Sequence, residues 1–125
     1  MKRLLLLPLL VIALNSFAGW EMLFCDSVDN TGNCAGKAET FNLAGRLNVL
    51  LLNPDGLRTT KVYFEVYKVD PTTFIEDLVI TEEVNTTTEA NKVAAVLKPG
   101  AKGNYLIKAR NAYKDYITSR EFVIN

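Results

Sequence analysis

The chain contains no histidine. That absence removes the Ser-His-Asp triad, the Cys-His dyad and every His-based zinc site. Among the common general bases only carboxylates, lysine, tyrosine and cysteine remain. Cysteine is scarce too: Cys25 and Cys34 are the only two. No charge sign dominates. Without Lys2 and Arg3 the chain has 12 basic residues against 14 acidic ones, mixed along its length. The lack of a basic stripe argues against nucleic acid or an anionic membrane surface as partner. After residue 18 no apolar run is long enough to span a bilayer. There is also no internal repeat and no low-complexity linker.

What is present begins with residues 1–18. Lys2 and Arg3 form a positive start, Leu4 to Leu14 an apolar core, and Ser16-Phe17-Ala18 a small-residue end. This is the pattern of a secretory signal peptide, with cleavage expected after Ala18. A retained anchor fits less well. Eleven apolar residues span roughly 16 Å of a hydrocarbon layer of about 30 Å, and Pro8 interrupts them. Cys25 lies too far past Ala18 to serve as a lipid-modified terminus. The expectation is an exported protein, periplasmic or extracellular, whose residues 19–125 form one domain. Its length suits one core.

Export sets the reading of the cysteines. In an oxidising compartment a Cys25–Cys34 bridge is the expected state. It would close a small loop and contribute about 2–3 kcal/mol. A redox or metal pair fits poorly, with eight intervening residues and no histidine.

The remainder reads as short strands between turns. Trp20 to Cys25 is apolar and extended, and Asp26 to Asn33 (DSVDNTGN) is a polar turn. Lys37 to Leu43 alternates, and Leu47 to Leu52 is an apolar run stopped by Asn53-Pro54-Asp55-Gly56. Thr60 to Val69 has the clearest period of two. Val62, Phe64 and Val66 fall on one face, and Lys61, Tyr63, Glu65 and Tyr67 on the other. Phe74 to Val84 follows, with Leu78 and Ile80 expected inward. After the polar turn Asn85 to Asn91 come strands at Lys92 to Leu97, Asn104 to Arg110 and Tyr116 to Ile124. A helix over Glu89 to Leu97 is the alternative there: alanine and leucine favour it, while its nine-residue length and Val93 and Val96 weaken it. Regular short strands with turn punctuation argue for an all-β antiparallel sandwich of seven to eight strands.

Leu97-Lys98-Pro99-Gly100 followed by Gly103-Asn104-Tyr105-Leu106-Ile107 resembles the penultimate-strand entry of immunoglobulin-like sandwiches. The resemblance covers roughly the last thirty residues. It implies that Tyr105 packs at a corner with its hydroxyl bonded back to the backbone. It implies architecture and no function. Cys25 and Cys34 depart from antibody-type domains, because both lie in one early hairpin and cannot bridge the two sheets. The opening Cys25-Asp26-Ser27-Val28-Asp29 with Gly32-x-Cys34 resembles small exported bacterial proteins of unknown role and implies no activity.

Candidate sites are few. Asp26, Asp29, Asn30 and Asn33 offer hard oxygens to calcium, but they lack the EF-hand spacing and suit a self-satisfied turn better. Tyr63 and Tyr67 flank Glu65 on one strand face. Two tyrosines about 7 Å apart make a stacking surface for a sugar or a protein, or else an ordinary solvated face. Strand addition at a sheet edge is a third possibility, with the edge strand not legible. Glu76, Asp77, Glu82 and Glu83 are carboxylates in glycosidase-like number, set at the two ends of one strand in a chain with little room for a cleft. Asn85-Thr86-Thr87 has the form of a glycosylation sequon. Trp20 reads as a core residue or an N-terminal plug.

The expected role is therefore a non-catalytic interaction module without cofactor. It would bind another exported or envelope protein through a sheet face or edge. A carbohydrate- or calcium-binding module and an inhibitor-like sandwich are the alternatives.

Overall fold

The computed structural model describes residues 19–29, 31–37, 40–41 and 47–124. The expected signal peptide, residues 1–18, and Asn30 lie outside these. The described elements are all strands: β1 Glu21–Val28, β2 Cys34–Lys37, β3 Thr40–Phe41, β4 Leu47–Leu52, β5 Lys61–Val69, β6 Glu76–Asn85, β7 Lys92–Leu97, β8 Gly103–Arg110 and β9 Tyr116–Ile124. They build two sheets, ordered β2-β1-β4-β7 and β3-β9-β8-β5-β6. Every pairing is antiparallel except that of the two-residue β3 with β9.

Alternation explains the core. Val62, Phe64 and Val66 of β5 are fully buried, and so are Ile107 and Ala109 of β8. They face Phe24, Leu47, Val49, Leu51 and Leu97 of the other sheet in one apolar cluster. Each such side chain contributes roughly 1.5–3 kcal/mol by leaving water. Phe122 sits at the centre of an aromatic stack. It meets Tyr105 face to face at 5.1 Å and Phe24 edge-on at 5.6 Å. On one flank Arg120 of β9 donates to the Met22 carbonyl of β1 at 2.8 Å and lies 4.6 Å over the Phe24 ring, linking the sheets. Trp20 is half-buried and packs against the cluster.

The structure changes several expectations. Residues 92–97 form a strand, not a helix, because β7 pairs residue for residue with β4 from Leu47↔Leu97 to Leu52↔Lys92. Asp26 to Val28 belong to β1 rather than to the turn. Ser27 and Val28 are held in the ladder by Ala35 and Cys34, and this pairing carries the strand through Asp26, a residue type depleted in strands. Of the strand expected over residues 37–43, Lys37 ends β2 and Thr40–Phe41 form β3, while residues 38–39 and 42–43 lie outside the described residues. Leu78 is not inward. The β5–β6 register runs Val66↔Ile80 and then Tyr67↔Leu78, leaving Val79 as an extra residue. This bulge reverses the alternation. Leu78 therefore shares the outer face with Tyr67 and is 54% exposed, while Ile80 still packs on the core.

Cys25 and Cys34 are bridged, with Cα atoms 5.3 Å apart. The bridge ties β2 to β1 within the first sheet. On that sheet's outer side Lys92 donates to Asn33 Oδ1 at 2.8 Å, so the β1–β2 turn reaches β7.

Candidate functional site

The outer face of the second sheet carries the three residues singled out for binding. Pairing places Tyr63 between Glu83 and Arg110, Glu65 between Thr81 and Lys108, and Tyr67 between Leu78 and Leu106. All three are half-buried. Glu65 is the hub: its Oε1 accepts from Arg110 Nε at 2.8 Å and from Tyr67 Oη at 2.9 Å. Partial burial alone would push the Glu65 carboxyl up, but the bonds from Arg110 and Tyr67 outweigh it and hold the group below its ordinary value. Burial, and then the neighbouring Glu65, push the Tyr67 hydroxyl up.

The rings are covered as well. Lys108 Nζ lies 4.7 Å from the Tyr67 ring centre and bridges to Glu76 at 3.1 Å. Lys61 and Lys114 sit over Tyr63 at 5.9 and 5.1 Å. Lys61 also pairs with Glu83 at 2.8 Å. A sugar or an aromatic side chain would have to displace these cations to stack. The acidic set divides likewise. Glu76 and Glu83 are in ion pairs at opposite ends of β6, and Glu82 lies on the strand's inward side opposite Phe64, at the exposed rim.

The oxygens proposed for calcium serve the turn. Asp29 Oδ1 accepts from the Thr31 amide at 2.9 Å, the Thr31 hydroxyl at 2.7 Å and the Asn33 amide at 2.9 Å. The Thr31 hydroxyl bond leads in holding the Asp29 carboxyl below its ordinary value. Asn33 Oδ1 is taken by Lys92. Asn30 and the Asp26 side chain lie outside the described residues. Among the described residues no three His, Cys, Asp or Glu side chains gather as a metal site would require.

Tyr105 is 2% exposed, and its hydroxyl donates to the Ala101 carbonyl at 2.6 Å. That bond fastens the Pro99–Gly103 turn to the start of β8.

The feature that sequence reading missed is the apolar end of this sheet. In the loop between β5 and β6, Asp70 Oδ1 accepts from the amides of Thr72 and Thr73 at 2.8 and 2.9 Å. The Phe74 amide donates to the Asp70 carbonyl at 2.8 Å, and Asp70 N to the Ile75 carbonyl at 3.0 Å. The bonds from Thr73 and Thr72 hold the Asp70 carboxyl below its ordinary value. This cradle holds Phe74 at φ 62° and leaves the residue 73% exposed. Ile75 at 59%, Leu78 at 54% and Val79 at 47% continue the apolar surface along β6. Beside Phe74 is a hollow of about 270 Å³, walled by Val69, Pro71, Phe74, Phe122 and Val123, with Glu121 and Asn104 at its rim. The only sequence signal was Asp-Pro-Thr-Thr-Phe, a turn followed by an aromatic.

No family model matches the sequence, and no curated protein does. Solved structures do resemble the fold. An immunoglobulin-like protein from Pseudomonas aeruginosa aligns over 84% of this chain and 92% of its own, with 7% identity and TM-score 0.55. The PmoD soluble domain from Methylocystis sp. ATCC 49242 aligns over 85% and 90%, with 8% identity and TM-score 0.53. At such identities the likeness shows the fold alone. The chain is thus an immunoglobulin-like β-sandwich, and its function has to be argued from its own surface. Among the described residues no helix is long and apolar enough to cross a membrane.

Proposed function

We propose that this is an exported, non-catalytic, single-domain interaction module. It binds an extended segment of another envelope or secreted protein at the apolar end of the second sheet, around Phe74, Ile75, Leu78 and Val79. The observation that carries this reading is Phe74. A large aromatic ring is held out into solvent on a backbone conformation that disfavours side chains, by a loop built to keep it there. Rigid exposed aromatics are common anchors of protein contacts. A contiguous exposed apolar surface on a small protein also marks contact sites.

This surface is favoured over the Tyr63–Tyr67 face because those rings are already covered by lysines. The disulfide supports export. The non-catalytic part rests on where the perturbed carboxylates are. Glu65 is neutralised by Arg110 on an open sheet face, and Asp29 and Asp70 are engaged by turn amides. A general acid or base is held in a cleft with its proton affinity shifted toward the working pH.

A photo-cross-linking amino acid placed at position 74, at 78, or at the exposed Val96 of the other sheet tests the proposal in the source cells. Adducts at 74 and 78, none at 96, and their loss with Ile75→Lys in a protein that melts normally are expected. Equal adducts at 96, or none at 74 and 78, would overturn it.

A further inference from the structure

Two hollows lie side by side at this end of the molecule, and their charges differ. The larger, about 450 Å³, is balanced: Lys68 and Lys102 line it together with Asp70 and Asp77. The smaller, about 270 Å³, has apolar walls and one charged group, Glu121, with no cation among its lining residues. Glu121 stands on the outer face of β9 opposite Leu106 and is exposed. A hollow of this size falls below the roughly 300–1,000 Å³ of small-molecule and cofactor sites. It is suited to a single long side chain.

We infer that this hollow receives an arginine side chain from the partner's extended segment. The inference rests on the interaction surface proposed above and names the chemistry that the surface reads. The aliphatic stem lies along Val69 and Val123, as long cationic side chains lie along apolar surface with their heads in water. The guanidinium plane meets the Phe74 ring and points its fork at the Glu121 carboxylate. Arginine fits both tasks better than lysine, because its planar group stacks on aromatic faces and binds a carboxylate through two donors. The strained position of Phe74 then has a purpose: it sets one wall of the hollow. A second copy of this chain is the competing occupant. Its Arg110 and Arg120 are engaged within the fold, Arg110 by Glu65 and Arg120 by the Met22 carbonyl, which leaves the exposed Arg58 as the described arginine a second copy could offer, and self-association is therefore read beside the peptide titration.

The test uses the purified oxidised protein and three short peptides of alternating valine and serine. Their central residue is arginine, its neutral isostere citrulline, or glutamate. Amide shifts are followed by NMR during titration. The arginine peptide should move the amides of Val69, Phe74 and Glu121 to Val123, and citrulline should weaken binding by about tenfold or more. Glu121→Gln should erase the arginine–citrulline difference, and Phe74→Ser should weaken both peptides. Equal affinity for the arginine and citrulline peptides would overturn the arginine assignment. So would shifts confined to other residues, no shift with any peptide, or concentration-dependent self-association that the arginine peptide does not compete. The apolar surface fails separately, through the loss of cross-links at 74 and 78.

Discussion

At Phe74 the backbone lies at φ 62°, a region costing an ordinary side chain roughly 1–2 kcal/mol relative to the right-handed one. With 73% of the residue exposed, little packing repays that cost. Asparagine tolerates the same conformation. Phe74→Asn is therefore expected to raise the stability of the fold by about 0.5–1 kcal/mol, and Phe74→Val to lower it by at least about 1 kcal/mol, since a β-branched residue fits that conformation worst. Urea unfolding of the two variants decides it. If Phe74→Asn unfolds at lower urea than the parent, the ring contributes to stability and its exposure needs no functional explanation. If it gains stability while losing the cross-link at 78, the ring is kept for binding. Glu65 shows the opposite case: its Oε1 is shared by Arg110 and Tyr67 on the sheet's own surface.

Among the described elements β6 is one of the two edge strands of the second sheet, and its edge is guarded. The bulge at Val79 breaks its line, and Glu82 occupies the inward-facing alternation between Ile80 and Val84 at the rim. Bulges and inward-pointing charges are two ways in which sandwiches prevent edge-to-edge pairing. Glu82→Val should let two β6 strands pair. Light scattering at rising protein concentration should then show dimers or larger species, where the parent shows none of this edge pairing. A variant no more self-associating than the parent would mean that the bulge alone protects the edge. The same strand shows where sequence reading stops. β5 was legible because Val62, Phe64 and Val66 alternate without a break. β6 was legible in extent but not in facing, since one inserted residue turns Leu78 outward and leaves no mark on composition. Tyr63, Glu65 and Tyr67 were correctly placed on one face. That Arg110, 45 residues further on, would occupy Glu65 depends on the β5–β8 register, which no local pattern carries. Phe74 was hidden for a related reason. Its exposure follows from the Asp70 cradle and from the place of β6 at an edge of its sheet among the described residues.

Across the whole molecule the disulfide and the apolar end belong to different sheets. The Cys25–Cys34 bridge joins β1 to β2 in the first sheet, and Phe74 projects from the β5–β6 loop of the second. The bridge closes a loop with a sequence separation of 9. In the chain-entropy model that is worth about 2.5–3 kcal/mol, acting chiefly on the unfolded chain. For a protein of this size such a loss lowers the melting temperature by on the order of 10–20 °C. The Cys25→Ala/Cys34→Ala variant should show that drop. Yet the Glu21–Cys25 part of β1 pairs with β4 independently of β2, so the core around Phe24 and Phe122 should survive at room temperature. Cross-linking from position 74 in this variant should then match the parent below its lowered melting point. Loss of the adduct in a variant whose near-ultraviolet spectrum still reports a packed core would show the two sheets to be coupled, and would move the contact surface toward the β1–β2 hairpin. Retention would mean that the bridge serves stability while the second sheet alone carries the proposed contact.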